Sequence, residues 1–210
     1  MSAHHAPDWV PHREGHGIKN DGVLATWLGL ISFTFFIGTF IAANVYLRMW
    51  SPNNFTVDFA QNADLPAITT IVLIVAGFIT VIAGSFHRQG AWKKFQVMMG
   101  LAALAFIAYA VLLLKLMGYT HSLGAAAWTT HMGIYVFQFG LVLVNLFMIA
   151  KIGILFSDRN QKSLNNWVPA AMSVFLYTVI LGIIVLLVTD MISVGEFTEW
   201  CGKRIGVLEK

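Results

Sequence analysis

Leu24 to Leu47 reads LATWLGLISFTFFIGTFIAANVYL, 24 residues with no charged side chain, closed by Arg48. At 1.5 Å per residue, a helix of this length crosses a hydrocarbon core of about 30 Å. Strands cannot do so singly, because lipid offers no partner to open backbone N–H and C=O groups. Four further apolar runs have the same character: Pro66 to Phe86, Phe95 to Leu114, Ala125 to Phe156 and Val168 to Val188. The expected fold is an all-α integral membrane protein of five transmembrane helices. Composition agrees: 58% of the 210 residues are hydrophobic and 11% are charged, against about 25% charged in a soluble domain.

Three segments follow. Residues 1–22 form a polar, histidine-containing stretch, 23–192 the transmembrane domain and 193–210 a short tail. The polar start has no apolar centre, and the first apolar run is too long for a signal peptide, so it is expected to remain as a span. Lys and Arg set the orientation. With the N-terminus in the cytoplasm, Arg13, Lys19, Arg88, Lys93, Lys94, Lys151, Arg159 and Lys162 lie inside. Arg48, Lys115, Lys203, Arg204 and Lys210 lie outside. The sequence therefore predicts N-in, C-out. Pro66 and Pro169 are expected near the starts of their spans, with Asp64 and Asn165–Asn166 as caps. The net charge of +3 reflects topology and gives no footprint for nucleic acid.

His131 sits in WTTHMGIYVFQFG, Trp128 to Gly140. A haem between helices needs a second histidine at the same depth. His87 ends the second span on the other side and His121 is expected in a loop, so His131 is read as bonded to a neighbouring hydroxyl, Thr129 or Thr130. Gln138 and Asn145, seven residues apart, share nearly one helix face and are expected to join helices. Lys115, Asp190 and Glu196 fall near outer ends of spans. Lys115 either snorkels to the interface or pairs with Asp190. His4, His5, His12 and His16 are read as a solvated tail, and the single Cys201 allows no internal disulfide or cysteine cage. No catalytic, cofactor-binding or metal-binding set is expected in this chain.

The first span, GVLATWLGLISFTFFIGTFIAANVYLR, resembles the opening span of subunit III of the haem–copper oxidases through Trp27, Leu28, Ser32, Ala42, Ala43, Leu47 and Arg48. Leu65, Pro66, Thr69, Thr70, Arg88, Lys93 and Lys94 are similar to the family's next two spans and the turn between them, and Thr130-His131 to its fourth. The chain departs from the pattern at Phe33 and Lys115, where the family carries acids. It departs again at Ile134-Tyr135, the region of a second histidine, and at Val174 to Ile180 in the last span.

The resemblance covers residues 17 to 192 and implies a divergent five-helix subunit III with a lipid cleft. It would be an accessory subunit in a bacterial inner membrane, with no catalytic residues of its own. The haems and copper would belong to the partner subunits. Its partners would be catalytic subunit I, the other oxidase subunits and bound phospholipid. Its role would be to support sustained O2 reduction and proton pumping by a cytochrome c or quinol oxidase. Trp27, Arg48, His131, Tyr135 and Gln138 are the expected lipid or interhelix contacts, Arg48 through a headgroup phosphate. The alternatives are an accessory subunit of a nitric-oxide reductase, a membrane-anchor cytochrome and a small transporter.

Overall fold

A computed structural model describes residues 16–55, 64–158 and 161–191. His4, His5, His12, Glu196, Cys201 and the tail 193–210 lie outside the described residues. The described chain is helical throughout: α1 (His16–Trp50), the one-turn α2 (Pro52–Phe55), α3 (Asp64–Arg88), α4 (Trp92–Ser122), α5 (Ala125–Ser157) and α6 (Gln161–Leu186). A π turn, Leu187–Met191, follows α6 directly. Five of these helices are long and apolar enough to cross a membrane, as the apolar runs require. The protein is a multi-pass membrane protein.

The helices are longer than the apolar runs. α4 continues through Lys115 to Ser122, so His121 lies in its last turn and not in a loop. α6 begins at Gln161, which puts Pro169 two turns inside the helix and Asn165–Asn166 in its body, not at a cap. The reason is physical. Hydropathy marks the thickness of the hydrocarbon layer, whereas a helix can continue into the polar zone on its own backbone bonds.

α3, α4, α5 and α6 form a closed antiparallel ring, each packed on two neighbours. Its core holds Leu73, Phe95, Phe106, Tyr109, Tyr135 and Phe175, all fully buried. α1 stands outside the ring, in the groove between α5 and α6. Its seam is a smaller cluster: Ile37 against Ile134 and Leu141 of α5 and Leu181 and Val185 of α6. Phe137 of α5 inserts among three α1 rings, with centroids 6.1 Å from Phe33, 4.9 Å from Phe36 and 5.2 Å from Phe40.

Two glycines set how closely these helices approach. A Cβ on Gly182 of α6 would collide with Leu73 Cδ2 and come within 3.0 Å of the Tyr109 hydroxyl and 3.2 Å of Gln138 Oε1. The ring can close at this level only because α6 is bare there. A Cβ on Gly133 of α5 would meet the Phe40 ring at 2.9 Å, so α1 seats by the same device. Lipid tails are as apolar as leucine, so such close packing, and not expulsion from water, holds helices together in a membrane.

Candidate functional site: a buried polar knot at one end of the bundle

The antiparallel order brings the end of α1, the start of α5 and the end of α6 to one end of the molecule, called here the Arg48 end. The α3–α4 turn closes the opposite, Arg88 end.

Arg48 turns inward and is only 4% exposed. Its Nη1 donates to the Val188 carbonyl at 2.8 Å. Val188 lies in the π turn, where carbonyls near the helix end have run out of backbone donors. Arg48 thus caps α6 from another helix, and its positive charge complements the negative end of the α6 dipole. The guanidinium also attracts the Asp190 carboxylate. Asp190 Oδ1 accepts a 2.6 Å bond from the Tyr135 hydroxyl. One acid therefore joins α5 to the π turn, and one base joins α1 to it. The π turn widens the backbone where Asp190 must reach inward, and π turns often mark such sites.

Beside this pair, Asn44 Nδ2 donates to the Thr130 carbonyl at 3.2 Å, a second tie between α1 and α5. Thr130 Oγ1 lies 3.0 Å from His131 Nδ1. The His131 ring rests 5.9 Å from the Tyr135 ring at 40°. Deeper in the ring, the Tyr109 hydroxyl donates to Gln138 Oε1 at 2.9 Å. On α5, His131, Tyr135, Gln138 and Asn145 follow spacings of four, three and seven, which place them on one inward face. All four are fully buried.

The structure brings together four of the five residues singled out in the sequence. Arg48, Tyr135 and Gln138 make interhelix contacts, while His131 packs among them against Thr130 and Tyr135. Trp27 stands apart. It is 47% exposed and lies 21 residues before Arg48 on the same helix, about 30 Å away along its axis. Trp27, Thr34, Met172, Leu176 and Tyr177 help line a groove of about 400 Å³ between α1 and α6. Thr34 Oγ1 and the Tyr177 hydroxyl lie 2.7 Å apart across the seam there.

Of the two alternatives for Lys115, pairing with Asp190 is not the one observed. Asp190 does not meet Lys115, which sits on the exposed face of α4; its partners are Tyr135 and Arg48. Nor does Arg48 point outward toward a headgroup, because capping α6 gives its charge an interior use. Asn44 and Tyr109 were missed. Asn44 is the one amide in an otherwise apolar span, and that was the available signal. Tyr109 gives none, since a tyrosine in a span is ordinarily read as apolar packing. Among the described residues, no group of three or more His, Cys, Asp and Glu side chains is placed to hold a metal ion.

No family model, no curated protein and no solved structure matches this chain.

Proposed function

We propose that the chain is an accessory, non-catalytic subunit III-like component of a respiratory haem–copper oxidase. In this reading it packs on the catalytic subunit in a bacterial inner membrane, with its N-terminus in the cytoplasm. The observation that carries the reading is the double character of α1. This helix bears the resemblance to the subunit III opening span. It is held to the ring along one side only, by Asn44, Arg48 and the Phe137 pocket. Its other side exposes Leu24, Leu28, Ile31, Phe35 and Tyr46, a face for lipid and for a neighbouring membrane subunit.

The polar side chains at the Arg48 end support a structural role. They bond to one another and to backbone carbonyls across helices, which ties the helices together. The groove beside Trp27 and Tyr177 is apolar and of a size for an acyl chain. It is the place for bound phospholipid in this reading, while Arg48 and His131 act as interhelix contacts.

The test is purification of the tagged full chain from its native membrane in mild detergent. A large haem-bearing subunit is expected to co-purify, with O2 reduction in the complex and no haem absorbance in the chain expressed alone. A haem band in the isolated chain would overturn the proposal in favour of an anchor cytochrome. Solute flux into liposomes holding only this chain would overturn it in favour of a transporter. A partner reducing nitric oxide and not O2 would move the chain to that reductase.

A further inference from the structure

The inward face of α5 carries more hydrogen-bonding capacity than the protein itself uses. Gln138 accepts from Tyr109, but its Nε2 has no partner among the described residues. For Asn145 neither Nδ2 nor Oδ1 has one. Both side chains are completely buried, inside a bundle that is itself inside a membrane. An amide held there without hydrogen bonds costs several kcal/mol. A leucine of similar size would carry no such penalty, so the amides point to something they bind.

The facing helices offer these amides little to bond. Asn145 lies two turns beyond Gln138, about 10 Å along the α5 axis. The Tyr109–Gln138 bond fixes the antiparallel register of α4 against α5. Two turns on, that register brings Ala102 of α4 to the level of Asn145. Ala102 is fully buried and offers only a methyl group there. At the Gln138 level the facing position on α6 is Gly182, whose bare backbone packs closely against Leu73, Tyr109 and Gln138 and offers no side-chain partner. Toward the Arg88 end the interior is closed by Phe95, Met99 and Ile152, all in the apolar core. Toward the Arg48 end the same face of α5 continues through Tyr135 to Asp190.

We infer that Gln138 and Asn145 bind water inside the ring, at two levels about 10 Å apart on the inward face of α5. A buried water needs two to four polar partners. Gln138 Nε2 and the Tyr109 hydroxyl offer them at one level, and the two amide atoms of Asn145 offer them at the next. The apolar layer of Phe95, Met99 and Ile152 offers none, so hydration stops there.

The test is X-ray radiolytic labelling of the full chain in lipid nanodiscs in 18O-water, which marks aromatic rings next to bound water. Phe95 serves as the internal control, an equally buried aromatic ring of the same core that lies two turns beyond the Asn145 level. Tyr109 is expected to take up 18O about fivefold faster than Phe95, because it borders water at the Gln138 level and Phe95 borders none. In Gln138→Leu the rate is expected to fall toward that of Phe95. Equal rates at Tyr109 and Phe95 in the unaltered protein would overturn the inference. Solid-state NMR of the unaltered protein provides a readout that needs no variant. Cross-peaks from water to the Asn145 side-chain amide are expected, and their absence would also overturn it.

Discussion

The ring and the α1 seam solve the same problem with different means. Every ring helix has two neighbours, and the ring closes by shape: bare backbone at Gly182 meets Leu73, Tyr109 and Gln138. α1 has α5 and α6 on one side and nothing described on the other. Its seam has a smaller apolar cluster, supplemented by directional bonds from Asn44 and Arg48 at one end and Thr34 near the middle. A helix inside a closed ring can rely on dispersion from all sides. A helix on the outside needs specific ties, because lipid competes equally well for its apolar faces.

The largest expected effect comes from breaking the ring. Gly182→Leu drives a branched side chain into Leu73 and the Tyr109–Gln138 pair. The cost should be about 3 kcal/mol, the upper part of the range for overpacking a close-packed core. In SDS titration the whole protein should unfold earlier, in one transition. Loss of α1 contacts alone would show that the ring is not the more demanding interface.

Arg48→Ala attacks the seam, and its effect should be almost as large but local. It uncaps Val188 and leaves Asp190 without its cation, at a cost of about 3 kcal/mol by the rule for removing one partner of a buried pair. Hydrogen exchange should then rise in the second half of α1 and in the π turn while α3 and α4 remain protected. The double variant R48L/D190L should recover part of the loss, since an apolar replacement of both partners leaves no stranded charge. If the double variant is worse than R48A, the Arg48–Asp190 attraction is not what stabilises this end.

Smaller effects separate the two regions further. Tyr109→Phe removes the donor to Gln138 Oε1 inside the ring and should cost about 1 kcal/mol, the usual worth of one buried hydrogen bond. Tyr177→Phe removes the contact with Thr34 in the seam, where the residue is half-exposed to lipid. It should cost about 0.6 kcal/mol, the average for a polar interhelix bond in a membrane. Unfolding free energies of the two variants, measured side by side, should preserve that order.

The sequence makes the five helices legible because lipid permits nothing else over runs such as Leu24 to Leu47. It does not make helix ends legible at Ser122 or Gln161, where the helix outlasts the hydrocarbon. Nor does it give the direction in which a side chain points. α5 is apolar on its lipid face and on most of its core face, so its pattern gives no azimuth, and only the spacing of Gln138 and Asn145 hints at an inward stripe. Arg48 at the end of a span reads equally well as a headgroup contact or an internal cap. What decided between them was Val188, 140 residues later, presented by a π turn that no local pattern announces. The pairing of Asp190 with Tyr135 was hidden for the same reason, because partners on different helices leave no trace in linear spacing.

The bond from Arg48 to Val188 has a bearing on how the chain is made. The first span leaves the ribosome long before the last, and its capping partner does not exist until α6 and its π turn have entered the bilayer. Until then the Arg48 charge must stay with water or lipid headgroups at the membrane surface. The final act of assembly is therefore the return of the earliest helix to the latest. A chain truncated ahead of Val188 should insert four spans normally and leave α1 unlatched.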